Sequence, residues 1–476
     1  MSDYAVGSFV FSPWAVGLSL AAGMTSAATF IINPGFVAYF GLSGVLAMVI
    51  FLPIGAISSL IVMSKGFRKI GSDVKAFTLA QWIGIRYDSK GFALFFGFLS
   101  LLLITFIVLI CVGMTQVLSK ALGTEILPTL VVSVIFIFGY MMFGGANSMV
   151  YTNVIQAGIK VFVGIILLLS GYQHFSGGFA GFIEKLAHID PSLALAYNPK
   201  SPLFRDFFEV VVCQLIVGVA IVCQPHIITR SLFIKEEKDV NKYLLISSLV
   251  LIFFFSVVFV GLYARLDFPD LMLDGKKISV DKMMSAYVTT HFSPTMSILM
   301  VIGIFSAGIA TLEGLIQSIS ATITSDIVKP LLGDKIIKTE QNPNGFLSEY
   351  VFHKLVIVFL AIIAILVSYN QLVNPDLSVG IFAQTGVYGY FSAAFVPVLF
   401  GTFLKKTPKH IPIITSGVAL ATHFGIYYGR LTPYMQEGTR NPGVSAAIAI
   451  LVSTALAGVL YLVSENNKST VANEIQ

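Results

Sequence analysis

The segment Ile302–Lys329, IGIFSAGIATLEGLIQSISATITSDIVK, is apolar and long enough to cross a bilayer, yet it carries Ser306, Thr311, Glu313, Gln317, Ser318, Ser320, Thr322 and Thr324. A helix kept only for packing has little use for so many oxygen-bearing side chains. In a closed helical bundle they are oxygen ligands for something that crosses the membrane. Glu313 is the one acidic residue deep in an apolar segment, and Lys160 the one basic residue so placed. An unpaired charge at that depth costs about 2.5–3.5 kcal/mol on insertion scales. Three arrangements satisfy the two residues. They form a structural salt bridge, or Glu313 is a cation or proton site with Lys160 near the solute, or Lys160 snorkels to an interface. Asp326 and Lys329 end the segment at one water interface.

Holding such groups in place takes a membrane bundle, and the composition supplies one. The chain is 56% hydrophobic and 11% charged, with a mean hydropathy of +0.87. That excludes an ordinary soluble protein and fits an all-α polytopic membrane protein. Apolar windows of about 20 residues predict twelve spans, near 13–40, 43–64, 92–118, 129–146, 150–171, 208–229, 242–264, 296–324, 352–370, 378–403, 411–429 and 443–463. The start, MSDYAVGSFVF, has neither a basic n-region nor a small-residue cleavage site. The net charge of +5 is spread over separate loops, which is no nucleic-acid signature. Lys65, Arg68, Lys69, Lys75, Arg86 and Lys90 share one side with Arg230, Lys235, Lys329, Lys354, Lys405 and Lys409. The positive-inside rule puts that side, and both termini, in the cytoplasm of a cell whose inner membrane holds the protein. Cys111, Cys213 and Cys223 fall inside spans and read as small core residues, with no metal spacing.

One transmembrane domain is expected over 1–464, with core halves at about 13–171 and 208–403, followed by a short polar tail at 465–476. The loop 330–350 reads as a cytoplasmic linker. The halves correspond weakly. Gly23 and Asn33-Pro34-Gly35 interrupt the first span, and Gly218 and Gln224-Pro225-His226 the sixth. Interrupted helices at matching places point to an inverted-repeat transporter with its site at the breaks.

At these residues the chain resembles the sodium:solute symporter family, with its LeuT-like five-plus-five inverted-repeat fold. The resemblance runs over nearly the whole chain. It is most specific at LSLAAGMTSAATFIINPG (18–35), YTNVIQ (151–156), CQPHIITRSLFIKEEKD (223–239) and AGIATLEGLIQSISATITSDIVK (307–329), and YFSAAFVPVLFGTFLKK (390–406) is similar to the family's tenth core helix. The resemblance begins near Asp3-Tyr4, so the helix that usually precedes the family's first core span is expected to be absent. Two further helices follow the ten-helix core.

The resemblance implies a sodium site, with carbonyls from Ala22, Thr25 and Ala307 and hydroxyls from positions 310 and 311. Thr311 is present, but Ala310 leaves one side-chain ligand missing. A second ion or proton site is implied at Asn153 and Glu313, with Lys160 seven residues beyond Asn153 on roughly the same face. The solute is expected at the breaks, against Ser26, Thr29, Gln116, Gln214, Gln384 and Thr385, with Phe30, Tyr388 and Tyr390 as aromatic gates. Gln224 and His226, next to Arg230, read as a cytoplasmic gate or loop anchor. His423 lies outside the core. No arginine lies within the spans to clamp a carboxylate.

The expected function is sodium-coupled symport of a small organic solute (an amino acid, carboxylate, vitamin or sugar), with a lean to the proline and pantothenate branches. Within the same fold, the alternative is a proton-coupled or sodium-independent carrier using Glu313 and Lys160. In another class, it is a membrane solute sensor. No convergent catalytic constellation, nucleotide-binding loop, organic cofactor or obligate protein partner is indicated.

Overall fold

The computed structural model describes residues 11–474 except 75, 235, 339–345, 376 and 437–439, so Asp3-Tyr4 lies outside the described residues. Among those residues nine helices are long and apolar enough to cross a membrane, and two further spans are bent pairs. The halves of the first span are α1 (Pro13–Met24) and α2 (Ala28–Phe40), bent by 55°. Then come α3 (Leu42–Ile70), α4 (Lys90–Leu122), the shorter apolar α5 (Ile126–Met141) and α6 (Ala146–Leu169). The second half opens on another bent pair, α7 (Phe208–Ile221) and α8 (Pro225–Phe233), at 61°. It continues through α9 (Glu237–Asp267), α10 (Pro294–Gly333), α11 (Glu349–Val373) and α12 (Val379–Phe403). The last two, α13 (His410–Gly429) and α14 (Pro442–Glu465), lie beyond the two halves.

Local chemistry explains both breaks. α1 stops where Thr25 turns extended, at φ −106 and ψ 105. The Ser26 hydroxyl then accepts the Ala28 N–H at 3.0 Å and caps α2. At the second break Gln224 is extended, with Pro225 as the first residue of α8. Proline lacks an N–H, holds its predecessor out of helical geometry and is well suited to a first helical position. The sequence marks for the first break, Asn33-Pro34-Gly35, fall inside α2; the break lies at 25–27, one turn past α1's Gly23.

Glycines let α3 and α7 cross closely. A Cβ on Gly55 of α3 would lie 2.4 Å from Leu215 O, and one on Gly218 of α7 would lie 2.3 Å from Leu52 O. Small residues let two membrane helices approach backbone to backbone. α1 packs among α6, α9 and α10. The outer faces of α5 and α6 expose Val132, Ile135, Phe136, Ile155 and Phe162, as lipid contact demands.

Two connections differ from expectation. Backbone helix continues past α14 to Glu474, through the segment expected as a tail, because extending a formed helix costs little. Part of the expected linker is also ordered: Lys329–Ile336 is helical, and Ile337–Lys338 pairs with Leu347–Ser348.

Candidate functional site

α1 ends in mid-bundle, so its last carbonyls lack partners within the helix. Ala21 O accepts the Thr25 hydroxyl at 2.6 Å. Gly23 O accepts the Thr311 hydroxyl at 2.9 Å, from α10. Ala22 O and Thr25 O both accept from Lys160 Nζ of α6, at 2.5 and 2.8 Å. One turn earlier, Ser19 O and Ser19 Oγ accept from Arg230 Nη1 at 2.5 Å each. Lys160 and Arg230 are buried, at 0% and 2% exposure. Two cationic side chains thus face the negative end of a half-helix.

Ala22, Thr25 and Thr311 come together around the end of α1, and Lys160 Nζ lies against the two carbonyls. Ala310 offers no side-chain oxygen and packs with Ala22 and Ala157. Ala307 is buried on the same helix. Thr311 reaches across to α1 where an isolated membrane threonine bonds back to its own preceding turn.

Of the three arrangements, the Glu313–Lys160 salt bridge does not form and Lys160 does not snorkel. Glu313, fully buried, accepts from the Tyr140 hydroxyl, from Thr152 Oγ1 at 2.9 Å and from Gln156 Nε2 at 3.3 Å. Asn153 does not face it; its amide donates to Ser19 Oγ at 3.2 Å. The reason is helical phase. Thr152 and Gln156, four apart, share one stripe of α6, while Asn153 and Lys160 share the neighbouring stripe that faces α1.

Both breaks open on a cavity that, with its mouth, holds about 950 Å³ of empty space. Ser26, Thr29, Asn33, Gln214, Gln224 and Gln384 line it, with Met24, Phe106, Phe255 and Tyr388 among the apolar walls. The side chains of Thr29, Asn33, Gln214 and Gln384 have no protein hydrogen bond among the described residues. Gln224 Nε2 donates to Ile221 O at 3.1 Å, while its Oε1 is buried without a partner. Among the described residues no acidic or basic side chain lines the cavity.

Several expected site residues lie elsewhere. Gln116 sits further along α4, in a separate pocket with Lys120, Lys276, Lys277 and Lys282. Thr385 donates to Ile381 O at 2.9 Å, and its carbonyl meets His423 Nε2 at 2.9 Å. It follows Gln384 directly, so it points to a different face of α12. Phe30 and Tyr390 pack against Phe254 and Phe96, leaving Tyr388 as the gate candidate that reaches the cavity. Gln224 belongs to the cavity and not to a gate, whereas His226 and Arg230 line a second polar pocket with Gln317, Ser318 and Thr322. Arg230 corrects the expectation of no arginine within the bundle. Asn33, read only as a break mark, was missed as a cavity residue; its amide beside a proline in an apolar run was the signal.

At the end of the bundle away from the basic loops, the connection 268–293 closes over α2 and α12. Asp281 is buried and accepts from Ser378 Oγ at 2.6 Å and Val379 N–H at 3.0 Å. Burial pushes its carboxyl above the usual range, against the pull of those donors. The Tyr39 hydroxyl donates to Ile278 O. At the opposite end Thr78 Oγ1 donates to Asp326 Oδ2 at 2.7 Å, and Arg68 Nε to Ile234 O at 2.9 Å.

Two halves that each begin with a broken helix, and a polar uncharged cavity at the breaks, define a secondary transporter of the LeuT-like inverted-repeat class. Residues 4–410 match the sodium:solute symporter family, and the chain belongs to that family. By family it is a sodium-coupled solute symporter, a membrane transporter and not an enzyme. It is 25% identical over 407 residues to the sodium/pantothenate symporter of Haemophilus influenzae, covering 84% of this chain and 78% of that protein. It is 26% identical over 454 residues to the sodium/glucose cotransporter of Vibrio parahaemolyticus, covering 89% and 79%. A solved structure of a Na+-coupled sialic acid symporter, substrate-bound and outward-open, superposes with a TM-score of 0.73 at 18% identity, over 96% of this chain and 92% of that one.

Proposed function

We propose that the chain imports a small organic acid bearing amide or hydroxyl groups, a solute of the pantothenate kind, across the inner membrane. The cavity wall carries this reading. Its free amides and hydroxyls, on Thr29, Asn33, Gln214 and Gln384, suit a solute with several neutral polar groups. The first residues of α2 and the residue before α8 also line it. The positive ends of two half-helices are therefore available to a carboxylate without any basic side chain. The similarity to a pantothenate symporter supports the same class. Sodium enters as the family's coupling ion. The basic loops argue for a cytoplasmic position of the α3–α4 side and of both termini.

Solute-dependent stabilisation of the purified chain tests the proposal, with organic acids, amino acids, vitamins and sugars each screened with and without sodium. A ligand that binds only the folded state raises the melting midpoint. Pantothenate-like acids are expected to do so. Stabilisation by hexoses and by none of the acids would sink the assignment.

A further inference from the structure

We propose that Lys160 is a tethered cation seated where the resemblance places sodium, and that sodium reaches this seat only in competition with the ammonium. The proposal rests on the chain being a sodium:solute symporter and concerns where the ion can bind.

The seat is a set of main-chain oxygens released by the break in α1. Ala22 O and Thr25 O are two of the oxygens at this break. Lys160 Nζ holds both, at 2.5 and 2.8 Å. An ammonium and a sodium ion use the same lone pairs, and two like charges do not share them in a dry site. Lys160 is fully buried, and the Phe254 ring, 5.8 Å from Nζ, closes another side. The two hydroxyls of the seat are oriented by their own donation to α1. The Thr311 hydroxyl donates to Gly23 O, and the Thr25 hydroxyl to Ala21 O. At position 310, where the resemblance calls for a hydroxyl, Ala310 contributes a methyl group to an apolar contact with Ala22 and Ala157. Loss of a ligand and gain of a built-in cation occur at one place, and each makes sense of the other. Once an ammonium supplies the charge, the extra hydroxyl has no ion to bind.

The geometry also assigns the ammonium a job. It ties α6 to the broken end of α1, whereas an ion held by the ligands the resemblance implies would tie α1 to α10. A purely structural lysine would do the same, so the test must read sodium itself.

The experiment is a sodium titration of the purified full chain with the melting midpoint as readout, potassium keeping ionic strength constant. Wild type is compared with Lys160→Met and Lys160→Gln. A seat held by its own ammonium for nine-tenths of the time or more weakens apparent ion affinity by at least about tenfold. Both variants should therefore show a sodium-specific stabilisation that half-saturates at least about tenfold below any wild-type response. Adding Ala310→Ser to Lys160→Met should lower the half-saturating concentration further. Equal sodium responses in wild type and both variants would overturn the proposal. If the Lys160 variants do not fold, Lys160→Arg, which keeps a cation in the seat with a different fit, is compared with wild type: a shifted half-saturating sodium concentration supports competition at this seat, and an identical one overturns the proposal. Failure here leaves the solute assignment standing, because that is read from solute-dependent stabilisation.

Discussion

Thr152 Oγ1 donates to Glu313 Oε2 at 2.9 Å across the α6–α10 interface. With Tyr140 and Gln156 it gives a buried carboxylate three neutral donors in place of a cation. Removing a carboxylate from such a cage strands its donors, at about 1–3 kcal/mol for each left unsatisfied. Glu313→Ala should therefore lower the melting midpoint clearly. Glu313→Gln should lower it less, since the amide oxygen still accepts and the tyrosine hydroxyl can turn to accept from the amide NH2. Equal midpoints for the two variants would show that the cage contributes nothing.

Arg230 makes a second prediction through its fit to α1. A Cβ on Gly23 would lie 2.4 Å from Arg230 Nη2 and 2.8 Å from Cζ. The guanidinium is pinned by Ser19 O, Ser19 Oγ and His226 O, so it cannot move aside freely. Gly23→Ala should cost about 1–3 kcal/mol, the usual range for overpacking. Arg230→Lys in the same chain should return part of that loss, since the shorter head group clears the methyl. Absence of any such rescue, measured as the difference between melting midpoints, would place the strain elsewhere.

Much of the fold was readable from residue order, for a physical reason. Apolar segments of bilayer length and Pro225 after an extended Gln224 act locally, and local rules survive folding. The pairing of charges did not read through. Glu313 and Lys160 were the only acid and base deep in apolar sequence, and charge economy suggested a bridge between them. The one-residue phase difference between Thr152 and Asn153 sends them to different helices, and an unpaired half-helix carbonyl rivals a carboxylate as a partner for an ammonium. Arg230 escaped because it follows the drawn end of its span, yet α8 turns at the break and carries it back to α1. Gln384 and Thr385 show the same limit in the cavity: adjacent polar residues, of which one reaches the solute space.

The cavity amides predict a kinetic pattern. Gln384 and Gln214 make no protein hydrogen bond among the described residues, so alanine there strands nothing in the empty protein. Each should raise the KM for the transported acid by roughly 5- to 10-fold, the equivalent of about 1 kcal/mol of hydrogen bonding. The melting midpoint without solute should stay near that of wild type. Thr385→Ala, on another face of α12, should leave KM unchanged. Uptake by proteoliposomes measures all three.

A histidine outside the spans gives a pH prediction. His174 Nε2 lies 3.3 Å from Asp267 Oδ1, and His291 Nδ1 lies 2.7 Å from Asp267 Oδ2. Burial holds His174 below its ordinary value of 6.5, against the pull of Asp267 and with some help from Lys185. The folded state then binds fewer protons than the unfolded state, so stability rises with pH across this window. It is fully present above 6.5 and is lost as pH falls toward the depressed value. The wild-type midpoint should drop as pH is lowered from 6.5, and His174→Gln should drop less. Parallel curves for the two proteins would remove His174 as the cause.

Gly35 and Asp281 together predict how the end of the bundle away from the basic loops opens. A Cβ on Gly35 would lie 2.1 Å from Val280 O, a backbone atom that cannot step aside alone. Asp281, the next residue, holds the Ser378 hydroxyl and the Val379 N–H at the start of α12. The connection is thus seated on α2 through one contact and latched to α12 through the other. Gly35→Ala should push the seat off, and Asp281→Ala should release the latch, so both should expose the cavity at this end. Cysteine placed at Asn33 reads the change, because native Cys111, Cys213 and Cys223 are all buried and react slowly. Labelling of Asn33→Cys by a membrane-impermeant maleimide should accelerate in either background, and should slow again when solute is added. Asp281→Asn keeps one acceptor for the α12 terminus and should fall between wild type and Asp281→Ala. If Gly35→Ala labels no faster than its parent, the connection is not what closes this end.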